Sequence, residues 1–157
     1  MRGYSPDDPK PLLGYAVLTA AFNGAAAAYV AAQRRSGRRL PQSLPAGDYA
    51  VLTLATQKLS RLISKDRVTS FIRSPFTRYT GEAGPSEVSE EARGSGLQLA
   101  IGELLVCPYC VGLWVSAGFV GGYIARPEVT RMVAAPFAVL SGADLLQQVW
   151  VALQERA

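Results

Sequence analysis

Residues 104–125 read LLVCPYCVGLWVSAGFVGGYIA and contain no charged side chain. A helix rises 1.5 Å per residue, so about 20 apolar residues cover the hydrocarbon core of a bilayer. This stretch therefore predicts a membrane-spanning helix, and the sequence on both sides repeats the pattern. After a tight basic connection, Arg126–Arg131, a second run from Met132 to Leu153 carries one charge, Asp144. Upstream, Leu12–Ala32 carries none. Its polar groups are Thr19, Asn23 and the hydroxyls of Tyr15 and Tyr29, and its many Ala and Gly residues suit close helix contacts inside a membrane. Positive charge follows this run instead of preceding it, which argues against a cleaved signal peptide.

The segments between these runs are polar. Gln33–Gly47 holds Arg34, Arg35, Arg38 and Arg39 with two prolines and reads as a basic loop. Asp48 is the expected N-cap of a helix over Tyr49–Lys65. There Leu52, Ala55, Leu59, Leu62 and Ile63 share one face, while Lys58, Arg61 and Lys65 lie largely opposite. Such a helix is too charged to cross alone and belongs in the interface plane or against other helices. Val68–Tyr79 is irregular. Gly81–Gly96 is an acidic, Gly-rich loop with one expected helical turn at Glu87–Ala92, and Glu90 and Glu91 read as surface charges. Leu97 opens a helix expected to continue into the run at 104–125. The expected fold class is all-α: an integral membrane protein of about three transmembrane helices (12–32, 104–125 and 132–153) plus an amphipathic interfacial helix. It forms one helical membrane domain, 12–157, behind a flexible tail at 1–11.

Composition agrees. The 157 residues are 49% hydrophobic and 18% charged, with a net charge of +4. Mean hydropathy is +0.14 and the pI about 9.3. The bases flank apolar runs, which fits attraction to anionic lipid heads better than nucleic-acid binding. Most of them lie between Arg34 and Arg93. The positive-inside rule then places 33–103 and the C-terminus in the cytoplasm, with the N-terminus and the 126–131 hairpin outside.

Three sets of residues could carry chemistry. Cys107-Pro-Tyr-Cys110 puts two thiols three residues apart, with Glu103 a turn earlier. The pair reads as packed side chains, as a redox dithiol, or as ligands for zinc in an oligomer or with Glu103. The chain has no histidine and no other cysteine. Asp144, in an apolar run, needs a partner such as Lys58, Arg61 or Asn23, and serves either as a helix-joining contact or on a transport path. Lys58, Arg61, Lys65, Arg73 and Arg78 form a basic set able to contact phosphate or anionic lipid.

The ordered segments ATQKLSRLI (55–63), KDRVTS (65–70), RSPFTRY (73–79), EEARG (90–94) and GELLVCPYC (102–110) resemble a family of small bacterial membrane proteins of unknown function, domain of unknown function thirteen-sixty, over about residues 48–150. The resemblance implies a membrane protein in which the cysteines matter, and it implies no reaction. The expectation is thus an interaction or accessory subunit of a membrane assembly, not an enzyme. It contacts lipids and other membrane proteins or its own copies, and no nucleic acid. A dithiol redox protein and a small transporter or channel subunit are the alternatives.

Overall fold

The computed structural model describes residues 4–5, 10–37 and 43–156. Most of the expected N-terminal tail and the centre of the basic loop, with Arg38 and Arg39, lie outside them. The described chain is mostly helical: α1 (Leu12–Arg35), α2 (Ala46–Lys65), α3 (Ser70–Arg73), α4 (Gly96–Val106), α5 (Pro108–Ala125) and α6 (Pro127–Gln154). Two strands, β1 (Thr77–Gly84) and β2 (Glu87–Ala92), form an antiparallel hairpin. The helices α1, α5 and α6 are long and apolar enough to cross a membrane.

The centre of the fold is the seam where α2 meets α5 and α6. Leu52 and Ala55 from α2, Phe119 and Tyr123 from α5, and Ala134 from α6 form its buried cluster. The pairings fix the directions. Asp48 meets Tyr123 and Arg131, Gln57 meets Ser141, and Lys58 meets Asp144, so α2 runs parallel to α6 and antiparallel to α5. The first helix joins from the other side. Tyr15 donates to Glu103, Phe22 packs edge-on against Trp114 at 5.1 Å, and Tyr29 donates to the Gly121 carbonyl at 2.5 Å. Thus α1 runs alongside α4 and α5 in the same direction.

Three expectations change and one is narrowed. Of the two places expected for the amphipathic helix, it takes the one against other helices, packing along α5 and α6 where its polar face finds partners. The start of α1 and the turn joining α5 to α6 stand at opposite ends of the bundle, where the expectation put the two together. Residues 87–92 form a strand, not a helical turn, which adds a small sheet to the expected all-α fold. The helix expected from Leu97 onward is interrupted at Cys107, with α4 before it and α5 after.

The hairpin forms because Pro85 fixes φ at the first turn corner while Ser86 takes φ 65 at the second, the geometry of a tight turn with positive φ at its third residue. Val88 is the buried anchor of β2. The hairpin docks on α4, which comes so close that a Cβ on Gly102 would sit 2.5 Å from the Phe76 carbonyl and 2.9 Å from Ala92 Cβ. Gly14 permits a similar approach of α1 to Ala100, 2.6 Å from the position of an added Cβ. Gly102→Ala is therefore expected to destabilise the protein by about 1–3 kcal/mol through forced overpacking. Gly24→Ala, where nothing lies within 4 Å of an added Cβ, should not destabilise it. Thermal unfolding of the two variants in lipid nanodiscs checks this, and equal midpoints would contradict the close docking of α4 on the hairpin.

Candidate functional site

The helical path breaks at Cys107 for a local reason. Proline has no N–H to give the preceding turn, and its ring pushes the residue before it out of the helical region. Cys107 accordingly has φ −104 and ψ 105. Pro108 then serves as the first residue of α5, where a missing N–H costs nothing. This makes Cys107 the N-cap of α5, and its side chain takes the capping role: Sγ accepts the Cys110 N–H at 3.2 Å. The Cys110 thiol in turn points at Cys107 Sγ across 2.7 Å. Both cysteines are free, Cys107 partly buried and Cys110 exposed.

Cys110 opens onto a groove of about 670 Å³ between α1, α4 and α5, whose walls include Tyr15, Phe22, Asn23, Glu103 and Trp114. Asn23 itself donates to the Thr19 carbonyl of its own helix at 2.8 Å. Glu103 accepts from Tyr15 and lies 3.7 Å from Lys10 Nζ. Among the described residues no three of His, Cys, Asp and Glu converge as a metal site. Among the described residues of one chain, then, the thiols lack the further donors that tetrahedral zinc requires.

The basic set is distributed among ion pairs. Lys58 donates to Asp144 at 2.6 Å, and Arg61 grips Glu87 with two bonds to its carboxylate at 2.7 Å. Arg78 reaches Glu91 at 3.4 Å on the surface. Lys65 stands in the last turn of α2. Arg73 is fully buried, as is Glu90 at 5% side-chain exposure. The Arg73 guanidinium binds Glu90 at 2.6 and 3.2 Å, the carbonyls of Ile63 and Asp66 at 2.6 and 2.9 Å, and the hydroxyls of Thr69 and Ser70 at 2.8 and 3.1 Å. It thereby satisfies carbonyls that the end of α2 leaves open and ties them to β2. Glu90 is correspondingly not a surface charge, and Arg73 has no surface to offer a lipid. Asp48 likewise differs from expectation. Pro45 precedes the first residue of α2, and Asp48 reaches Arg131 with two bonds at 2.7 Å and accepts from Tyr123 at 2.5 Å. Sequence reasoning missed this cluster, since nothing local links Asp48 to residues some eighty positions away.

These features define a class: a helical chain with membrane-length helices, polar pairs between its helices, and a small polar cap of α3 and the hairpin at one end. Residues 51–150 match the family described as protein of unknown function (DUF1360), and the chain belongs to that family. It is similar to the sporulation protein YjcA of Bacillus subtilis (strain 168), 37% identical over 100 residues that cover 62% of this chain and 85% of that protein. It is also similar to the UPF0713 protein YngL of the same organism, 28% identical over 102 residues, 63% of this chain and 75% of that protein. No solved structure matches. The matched segment contains the cap, the cysteine pair and Lys58–Asp144, and excludes α1.

Burial alone would raise the pKa of Glu90. The hydrogen bonds and charge of Arg73, aided by Ser70 and Thr77, outweigh it and hold the carboxyl below its ordinary value of 4.5. A depressed folded value contributes stability that is fully present above the unfolded value and lost as pH falls through the folded one. Unfolding of the wild-type protein should therefore become easier below about pH 4.5. Glu90→Gln should be less stable at neutral pH by roughly 3–5 kcal/mol, because Arg73 is left without a counter-charge, and should lose part of the acid dependence. Thermal melts from pH 7 to acid check both, and an unchanged acid limb in the variant would remove Glu90 as its source.

Proposed function

We propose that this protein is a multi-pass component of a bacterial cell membrane, crossing four times through α1, α2, α5 and α6, and that it acts as a non-catalytic interaction subunit of a membrane assembly. The observation that carries this reading is the closure of the polar groups of α2. Asp48, Gln57, Lys58 and Arg61 each meet a partner on α5, α6 or the cap. A helix with those side chains is costly to expose to lipid. Paired along its length, it fits between α5 and α6 inside a bilayer. The same closure speaks against a transport path, since Asp144 is engaged by Lys58.

The outer faces supply the interaction surface. Leu13, Leu113, Met132, Val139, Leu146 and Trp150 are all exposed and apolar. Lipid tails cover such faces, and so do other membrane helices or a second copy of the chain. Both termini and the cap face the cytoplasm in this reading, because the segments on the cap side hold Arg2, Lys10, Lys65, Arg67, Arg73, Arg78, Arg93 and Arg156 in the sequence, against Arg34, Arg35, Arg38, Arg39, Arg126 and Arg131 in the two connections on the other side. Arg78, which is exposed, and Lys65, which is half-buried, then meet anionic lipid heads. The name of one relative, a sporulation protein, is compatible with a membrane assembly and supplies no activity.

Extraction of the tagged protein from its native membranes in mild detergent, followed by native mass spectrometry, tests the role. The expected result is a complex of defined mass holding other membrane proteins or further copies of this chain. A lone chain carrying only lipid would contradict it.

A further inference from the structure

We propose that Cys107 and Cys110 form a dithiol–disulfide exchange site whose substrate is a protein disulfide flanked by apolar residues. The interaction role leaves this pair unused, and its geometry is that of a working dithiol. The break forced by Pro108 lifts Cys107 out of the helix and sets its sulfur against the N-terminus of α5, where it receives the Cys110 N–H at 3.2 Å. A helix N-terminus and a donated N–H together form a setting that accommodates the negative charge of a thiolate. The second sulfur lies 2.7 Å away, so closure of an intramolecular disulfide needs little movement. Access is present too. Cys110 is exposed, Tyr109 between the cysteines is 91% exposed, and Cys107 beside them is only partly buried. The groove onto which Cys110 opens is walled by Phe22, Leu113 and Trp114, which would hold an apolar flank of the substrate beside that sulfur. Glu103, the remaining candidate donor nearby, is engaged by Tyr15 and Lys10 instead of the thiols.

The exchange balances in two steps. The Cys107 thiolate attacks one sulfur of the substrate disulfide, forming a mixed disulfide and releasing the other substrate sulfur as a thiolate. The Cys110 sulfur, its proton passing to that thiolate, then attacks Cys107 Sγ and releases the first substrate sulfur, which takes up a proton from water. The substrate disulfide is reduced to two thiols while Cys107–Cys110 is oxidised. Two equivalents of a low-molecular-weight thiol restore the dithiol by the reverse exchange and leave as their own disulfide.

The test uses the reduced full-length protein in lipid nanodiscs and a disulfide-bonded model peptide with a Leu-Phe flank, followed by intact-mass analysis. Wild type should convert to the Cys107–Cys110 disulfide and release reduced peptide. Cys110→Ser should accumulate a stable mixed disulfide through Cys107, and Cys107→Ser should react roughly tenfold more slowly. Pro108→Ala, which keeps both thiols but allows α4 to continue into α5, should also slow the reaction while helical content by circular dichroism stays unchanged. Equal rates for the two serine variants, wild type that stops at the mixed disulfide, or full reactivity in Pro108→Ala would each overturn the proposal. So would thiols that react only after a chelator is added, which would mark them as metal ligands.

Discussion

The side-by-side packing of α2 on α5 and α6 is tied by polar pairs along the seam, in each of which one partner is partly exposed. Asp48–Arg131–Tyr123 closes one end, Gln57–Ser141 and Lys58–Asp144 occupy the middle, and Arg61–Glu87 closes the other. Between them lies the apolar cluster of Leu52, Ala55, Phe119 and Ala134. Small side chains at that seam let the helices approach, while the pairs fix which faces meet. Breaking one pair by deleting a single partner leaves an uncompensated charge, a larger loss than the pair's own net contribution. The pairs therefore specify register and direction more than they add bulk stability.

The cap extends the same logic to the end of α2. Arg73 collects carbonyls of α2, hydroxyls of the α3 turn and the Glu90 carboxylate, so one buried guanidinium decides where the hairpin sits. The hairpin then packs on α4 through the gap that Gly102 leaves. That contact holds α4, whose last turn leads into the partly buried Cys107 and the exposed Cys110 at the start of α5. A chain of contacts thus runs from α2 through Arg73 and β2 to Cys107.

Much of this was legible in the sequence, for reasons that differ by element. The apolar runs that became α1, α5 and α6 show because uninterrupted hydrophobicity is a one-dimensional signal. The fate of α2 does not show, because its low hydropathy reports only its own side chains and not the partners they meet. Lys58 was among the partners weighed for Asp144, yet nothing in the sequence ranked it above Arg61 or Asn23. The hairpin was hidden by its charges and by the irregular register between Tyr79 and Gly81 and between Glu82 and Gly84. Glu90, flanked by Glu91 and near glycines, looked solvated because its counter-ion is seventeen residues upstream. The break at Cys107 had a signal that went unread: a residue before proline rarely stays helical.

Whether α2 crosses the membrane is tested most directly by cysteine accessibility. On a Cys107→Ser/Cys110→Ser background, single cysteines replace Ser36, after α1, and Ala83, in the hairpin, and a membrane-impermeant maleimide is applied to intact cells. If the polar pairs carry α2 across, position 36 labels from outside and position 83 labels only after the cells are permeabilised. Protection of both positions in intact cells would place the two ends of α2 on one side and contradict the account.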